Sequence, residues 1–343
     1  MFLTTEDIAQ DIVNAGFERA LADQLAAQAK PAVWLETRAV DDETAIAPGA
    51  TKLGGRPDLP PGVAWPVRAA YSDAAEKAQG YRKVAADPEG WPWAKPEQRE
   101  RFRREWQEQA HRVETPQPLG FVAQINFADM WAAGPLDPDF PRRGVLSLFY
   151  DLNEMPWGLY SHERIGFAVL FHDADGPLTR LAPPAALPEE ARLPPLAVTA
   201  HACMTPLPLN TAQYGTLGLS EEITGQLGDG WCWGDSDPFG PSAGGKTMNC
   251  HRVGGWPTPI EDDMQTRCAL VHGGYRRGDA YKDPALDPLR ATATDWLLLA
   301  QIGTDDEKSA LSWEDDGQLY LWIRRADLIA RRFGQAHLVL QCS

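Results

Sequence analysis

The chain has 343 residues, 43% hydrophobic and 23% charged, so it carries enough apolar material for a real core and is not a disordered polymer. At roughly 150 residues per domain the length fits two modest domains or one large one. Lys and Arg total 32 against 48 Asp and Glu, and the resulting charge of −16 argues against a nucleic-acid partner while leaving a protein partner open.

No window approaches the ~18 consecutive apolar residues of a spanning helix, so no membrane role is expected. The opening MFLTTEDIAQ lacks a basic stretch followed by an apolar run, and the five cysteines (Cys203, Cys232, Cys250, Cys268, Cys342) are odd in number and widely spaced. Free thiols and a cytoplasmic location are the expectation.

In chain order, residues 4–30 read as helix, capped by Thr4 or Thr5, interrupted at Gly16 and ended by Pro31. A strand follows over 32–38, then a shaped Gly- and Pro-rich loop over 50–66. Residues 69–113 are highly charged and contain a helix from Glu97 to His111, which Phe102 and Trp106, four apart, are expected to pin to the body. Within it, the stretch 95–112 mixes six basic residues with four Glu, the pattern of a solvated helix with internal ion pairs. Strands are expected at 119–127, 144–151 and 166–173, and a Pro-rich linker at 177–199. A poorly patterned stretch then runs to about 228, with a short helix capped by Ser220. WLLLAQI (296–302) reads as a fully buried strand, GQLYLWIR (317–324) alternates, ADLIARRF is a short helix stopped by Gly334, and HLVLQC is a last strand.

Three blocks recur in order. Thr51-Lys52-Leu53-Gly54-Gly55-Arg56-Pro57 matches His251-Arg252-Val253-Gly254-Gly255-Trp256-Pro257; the segment 121–125, FVAQI, matches 298–302, LLAQI; and 144–149 matches 317–322. The pattern predicts one compact body: a duplicated β-rich core with pseudo-two-fold related halves, N-terminal helices and peripheral helices. The expected organisation is one domain over 1–343. It comprises an N-terminal helical segment and first strand (1–44), a first half (45–175) with an insertion (69–113), a linker (176–199) and a second half (200–343). The seam between halves is the expected place for a cleft, and the insertion is expected to be a lid or a contact surface.

These blocks, K-L-G-G-x-P-D-L-P-x-G-x-x-W-P, A-Q-I-N and G-V-L-S-L-F-Y-D, with H-R-V-G-G-x-P, L-L-L-A-Q-I and W-x-D-x-G-x-L-Y-L-W-I, resemble the YwqG-like family, a bacterial domain family of unknown function. The resemblance covers about 45–343. It implies an α+β fold with a duplicated core and no established reaction. Family members occur near polymorphic toxin genes, which implies an immunity or interaction role. The chain departs from the family in its long insertion and in Gly303, where relatives often carry Asp.

Several patterns invite chemistry. GPSAGGKT (240–247) satisfies a phosphate-loop pattern, but no strand precedes it and Gly254-Gly255 arrive before a helix can form, so a chance match is preferred. His201, Cys203, Cys232, Cys250 and His251 are zinc-ligand types without close Cys pairs, and inert thiols are preferred. The acidic runs 305–307 and 314–316 lack the spacing of a calcium loop. No metal, no cofactor and no nucleophile motif is therefore expected. Gln124 and Gln301 interrupt apolar strands. The preferred reading is that each clamps its own Gly-Gly-x-Pro loop, with ligand contact as the alternative. Lys52 and Arg252 precede the Gly pairs and suit a carboxylate, of this chain or of a ligand. Trp65, Trp256 and Trp313 are candidates to line the seam. The candidate ligand set is thus Lys52, Trp65, Gln124, Arg252, Trp256, Gln301 and Trp313. The expected function is a non-catalytic binding protein; the alternative is an enzyme acting on a small polar or anionic ligand between the halves.

Overall fold

The computed structural model describes residues 1–87, 90–172, 176–232, 251–275, 282–305 and 308–342. Two helices open the chain, α1 (Thr5–Asn14) and α2 (Arg19–Ala26). Thr4 caps α1 and closes a reciprocal capping box with Asp7. Gly16, at φ +98°, turns the chain between them. Ile8, Ile12, Ala22 and Leu25 face inward against Leu207, Tyr214, Trp231 and Trp256.

Ten strands form one antiparallel sheet: β1 (Lys30–Ala39), β2 (Lys52–Leu53), β3 (Gly120–Asn126), β4 (Val145–Tyr150), β5 (Phe167–His172), β6 (Leu196–Thr205), β7 (Arg252–Gly254), β8 (Trp296–Gly303), β9 (Gln318–Arg324) and β10 (His337–Gln341). Their order is β10-β9-β8-β7-β1-β6-β2-β3-β4-β5. Outward from the central β1–β6 pair, each side presents a short strand at a Gly pair, a strand bearing Gln, its hairpin partner and an edge strand. β1 stands beside β7, and β6 beside β2, so the first strand of each chain half pairs with the other half's short strand. β1 and β6 pair along ten residues, from Lys30 opposite Thr205 to Ala39 opposite Leu196. The halves therefore meet through a continuous main-chain ladder rather than across the expected cleft.

The register of β3 against β4 shifts between Phe121 and Ala123, and that of β8 against β9 between Leu298 and Ala300. In both strands the irregularity falls at the same distance before the Gln. Such bulges bend a strand and raise its twist, which suits a nearly closed sheet. The inner face packs Val33, Leu35, Leu53, Leu146, Leu148, Leu299, Leu319, Leu321, Leu338 and Leu340 into one core. Each fully buried aliphatic side chain contributes about 2 kcal/mol relative to exposure. Towards closure, Phe171 of β5 lies 4.4 Å (ring centroids) from Phe333, and Leu340 of β10 donates its N–H to the Trp157 carbonyl at 3.3 Å.

The insertion holds two helices, α3 (Ala74–Ala86) and α4 (Pro96–Glu114). Helix α5 (Phe127–Ala133) follows β3, α6 (Glu221–Leu227) is capped by Ser220, and α7 (Met264–His272) covers Trp296, Leu298, Tyr320 and Trp322 on the outer face of β8 and β9. Two expectations are corrected. The supposed linker and patternless stretch contain β6, whose LAVTAHACMT is small and polar because main-chain pairing, along all ten residues with β1 and at Leu196 and Ala197 with β2, holds it rather than side-chain bulk. The short helix α8 (Arg325–Ile329) ends well before Gly334: Arg331, at φ +57°, turns the chain while Asp327 accepts its neighbour Arg332's backbone N–H at 2.8 Å. No helix among the described residues is long and apolar enough to cross a membrane.

Candidate functional site

The first Gly-pair loop is built over a buried ionic cluster. Lys52 is fully buried, and its Nζ lies 3.1 Å from Glu43 Oε1 and 3.0 Å from Asp58 Oδ2. Arg56 Nε reaches Glu43 Oε2 at 2.7 Å, and Arg180 Nε reaches Asp58 Oδ1 at 2.9 Å. Burial by itself would raise the Asp58 and Glu43 carboxyls. The hydrogen bonds from Arg180, the Gly49 amide and Lys52 outweigh it at Asp58, and those from Arg56 and Lys52 do so at Glu43, so both carboxyls titrate below their ordinary values. Gln124 completes the cluster: Oε1 accepts the Asp58 N–H at 2.9 Å, and Nε2 donates to the Ala50 carbonyl at 2.8 Å and Asp58 Oδ2 at 3.1 Å. The loop itself needs glycine. Gly54 has φ +60°, and a Cβ there would sit 2.2 Å from the Pro194 carbonyl oxygen.

The second loop repeats the scheme with neutral partners. Gln301 Oε1 accepts the Thr258 N–H at 2.8 Å, and its Nε2 donates to Gln318 Oε1. Arg252 donates to the Trp256 carbonyl at 3.2 Å and to Thr258 Oγ1, while its buried Nε has no hydrogen-bond partner among the described residues. Thr258 stands where the first loop has Asp58, six residues past the basic residue. The residues before the basic pair also correspond. Thr51 Oγ1 accepts the Asn126 N–H at 3.0 Å and donates to Asp129 at 3.0 Å; His251 Nδ1 accepts the Gly303 N–H at 3.2 Å, and its Nε2 faces Asp305 Oδ2 at 3.4 Å. This geometry puts the proton of a neutral imidazole on Nε2. Burial is the main cause that lowers the His251 pKa, against the pull of Asp305. Thr37 donates to the same Asp305 oxygen at 2.5 Å. His251 is only 1% exposed, so the His251–Asp305 pair joins loop to strand and does not face a substrate.

The seven candidate residues do not form one surface. Lys52 and Gln124 share the first cluster, Arg252 and Gln301 the second. Trp65 packs edge-on to Phe149 outside β3 and β4 and donates its indole N–H to the Leu119 carbonyl at 2.7 Å. Trp256 lies under α1 and α2 and donates to the Gln28 carbonyl at 2.7 Å. Trp313 is in the inner core, edge-on to Tyr150. Three tryptophans in three cores leave none to line the seam.

The accessible concavities lie elsewhere. An open groove of about 690 Å³ runs between α4 and the Pro-rich segment, lined by Arg104, Gln107, His111 and Arg112 on one side and by Ala185, Leu187, Pro188 and Glu190 on the other. A smaller pocket of about 200 Å³ joins Leu187 to Gly55, Arg56, Trp65 and Arg192. The Pro-rich segment thus separates the groove from the first Gly-pair loop. Sequence patterning missed the groove because its walls come from segments some eighty residues apart, and Ala-Ala-Leu-Pro carries no signal of its own.

The groove's helical wall is fixed. Asp151 accepts from Arg68 Nε at 2.5 Å and from the Tyr71 hydroxyl at 2.9 Å, and Glu154 takes Lys77 and the Tyr81 hydroxyl at 3.1 Å each. Phe102 and Trp106 do not pin α4 to the body as expected. Phe102 contacts Trp91 and Trp93, and Trp106 contacts Tyr81, all inside the insertion. α4 meets the body instead through Gln109, which donates to the Asn153 carbonyl at 3.2 Å and to Glu154 at 2.5 Å, through Arg112, which donates to Asn153 Oδ1 at 3.0 Å, and through Ala110 and Val113 in one apolar cluster with Ile165. Along α4, Arg101, Arg103 and Arg112 lie within 4 Å of Glu105, Glu100 and Glu108.

Among the described residues no group of three or more His, Cys, Asp or Glu is arranged to hold a metal ion. His201 instead pairs with Glu36 at 3.0 Å on β1, Cys203 Sγ lies 3.6 Å from the Ala32 carbonyl, and Cys268 and Cys342 are free thiols. The phosphate-loop match at 240–247, Cys250, and Asp306 and Glu307 lie outside the described residues.

A family model described as a domain of unknown function, DUF1963, matches residues 51–342. No curated protein matches the chain.

Proposed function

The chain belongs to the DUF1963 family of unknown function, and from that premise we propose that it is a non-catalytic binding protein whose recognition surface is the groove between α4 and residues 185–190. One observation carries the reading. Lys52, Gln124, Arg252 and Gln301, the polar residues repeated in both halves, are buried and direct their hydrogen bonds to this chain's own loops. The groove, by contrast, exposes Arg104, Gln107, Glu108 and His111 beside an apolar Ala-Leu-Pro floor, with Glu108 and Glu190 both within 4 Å of Arg112. An extended peptide segment carrying an acidic side chain suits that lining: the backbone lies along the floor and the carboxylate meets Arg104.

We also infer that the chain is of the YwqG-like kind and holds two copies of one five-strand unit that exchange their first strands. The mirrored strand order, the two bulges placed alike, and the left-handed backbone shared by Gly54-Gly55 and Gly254-Gly255 support this. The YwqG-like resemblance adds a partner class, a toxin of a polymorphic system, which makes the protein immunity-like and places its work in the cytoplasm. The competing reading, an enzyme acting between the halves, loses support from the ten-residue ladder that joins them.

The test is affinity capture from the native cell with the wild-type chain and with R104E, followed by direct binding of the recovered protein. A partner held by wild type and lost by R104E supports the groove. No partner, or one held equally by both, refutes it.

A further inference from the structure

Lys30 opens β1, and its Nζ lies 3.4 Å above the centre of the Trp256 ring. Among the described residues no oxygen accepts a hydrogen bond from this ammonium, and no carboxylate lies within ion-pair distance of it. Two charged groups bear on it. Asp137 favours the ammonium and Arg325 opposes it, but the Asp137 carboxylate is already taken by Arg325, at 3.0 and 3.3 Å. Half-buried Lys30 lines a cavity of about 130 Å³ whose other walls are Pro31, Leu136, Pro138, Phe140 and Leu297 together with Asp137, the carboxylate held by Arg325.

A half-buried cation whose donors meet no protein acceptor keeps only part of its hydration, and an anion that supplies acceptors is favoured beside it. We propose that this cavity binds a short-chain aliphatic carboxylate, with its oxygens on the Lys30 ammonium and its hydrocarbon on Leu136, Phe140 and Leu297. The volume holds about four water-sized groups, which suits a chain of similar length. The aromatic face steadies the ammonium from the other side. Nothing in this site depends on the groove proposed above, whose residues it does not share.

Burial, opposed by Asp137 and aided by Arg325, lowers Lys30 to about 8. The ligand binds the charged amine, so affinity is full below that pH and falls about tenfold per unit above it. The experiment is calorimetric titration of the full chain with sodium butyrate and with butanol, at pH 7 and pH 9.5, for wild type and K30M. The expected result is one saturable butyrate site at pH 7, at least tenfold weaker at pH 9.5 and in K30M, with no saturable butanol binding. Absent butyrate binding at pH 7, binding indifferent to pH, or K30M binding as tightly as wild type overturns the proposal. Should K30M not fold, the pH pair and the butanol comparison on wild type decide it.

Discussion

Gln124 accepts the backbone N–H of Asp58 at 2.9 Å from inside a strand whose neighbours are apolar. Its counterpart Gln301 does the same for Thr258 at 2.8 Å. In each half a buried amide ties a Gly-Gly-x-Pro loop to the sheet, so the polarity that stands out in both strands is spent on the fold. Q124L and Q301L each leave a buried N–H unpaired, and Q124L also strips Asp58 and Ala50 of a donor. Each is expected to destabilise the chain by about 2–4 kcal/mol in urea denaturation. A loss below about 0.5 kcal/mol would show that the loops do not need the clamp.

Thr258 occupies the place of Asp58, and Arg252 that of Lys52, yet only the first pair is ionic. Among the described residues Arg252 has neutral acceptors and a buried Nε without a partner. T258D supplies the missing carboxylate beside a cation already buried. A gain of about 1–2 kcal/mol at pH 7 is expected, measured as a higher melting temperature. The gain should shrink as the new carboxylate protonates below about pH 4. A loss of stability at pH 7 would mean that the two loops are not interchangeable.

His337 is buried at the start of β10, with Nε2 3.1 Å from the Gly158 carbonyl. Burial is the chief cause that lowers its pKa from 6.5 to about 4. The Gly158 hydrogen bond opposes that fall, and Arg164 and Arg267 add to it. The unfolded chain therefore binds this proton first. The stabilisation is complete above pH 6.5 and is lost as pH falls from 6.5 to 4, by about 3 kcal/mol. H337N should flatten the stability-against-pH curve across that window, leaving the slopes of His172, His251 and His272, which are lowered in the same direction. An unchanged curve would place the titration elsewhere.

Asp151 joins the insertion to the turn after β4 through Arg68 and Tyr71, all three largely buried. D151A leaves the Arg68 charge unpaired, at a cost of about 3–5 kcal/mol. Limited proteolysis should then cut within 69–113 more than tenfold faster, with the sheet resisting longer. Equal cleavage rates would mean that α3 and α4 are held by their apolar contacts alone.

The legible parts of the fold are those whose side chains do the packing. β8 is buried at every position, and β9 alternates Leu319, Leu321 and Ile323 inward with Tyr320 and Trp322 outward, so periodicity alone finds them. β6 carries no such pattern because its support is the ten-residue main-chain ladder with β1. Glu43 was invisible as the partner of Lys52, since only the closed loop brings it there. Lys30 carried no signal either: what singles it out is the cavity beside it and the lack of an acceptor, and neither is local in sequence. The repeated Lys52, Gln124, Arg252 and Gln301 were legible as important, but sequence could not separate a clamp from a ligand contact.

The most direct measurement is the equilibrium affinity of a captured partner for R104E, set beside that for wild type and for Q124L, each compared at equal folded fraction. The groove reading requires at least a tenfold loss in R104E with its melting temperature unchanged, and no loss in Q124L beyond its lower stability. Full affinity in R104E together with lost affinity in folded Q124L would return recognition to the Gly-pair loops and refute the groove.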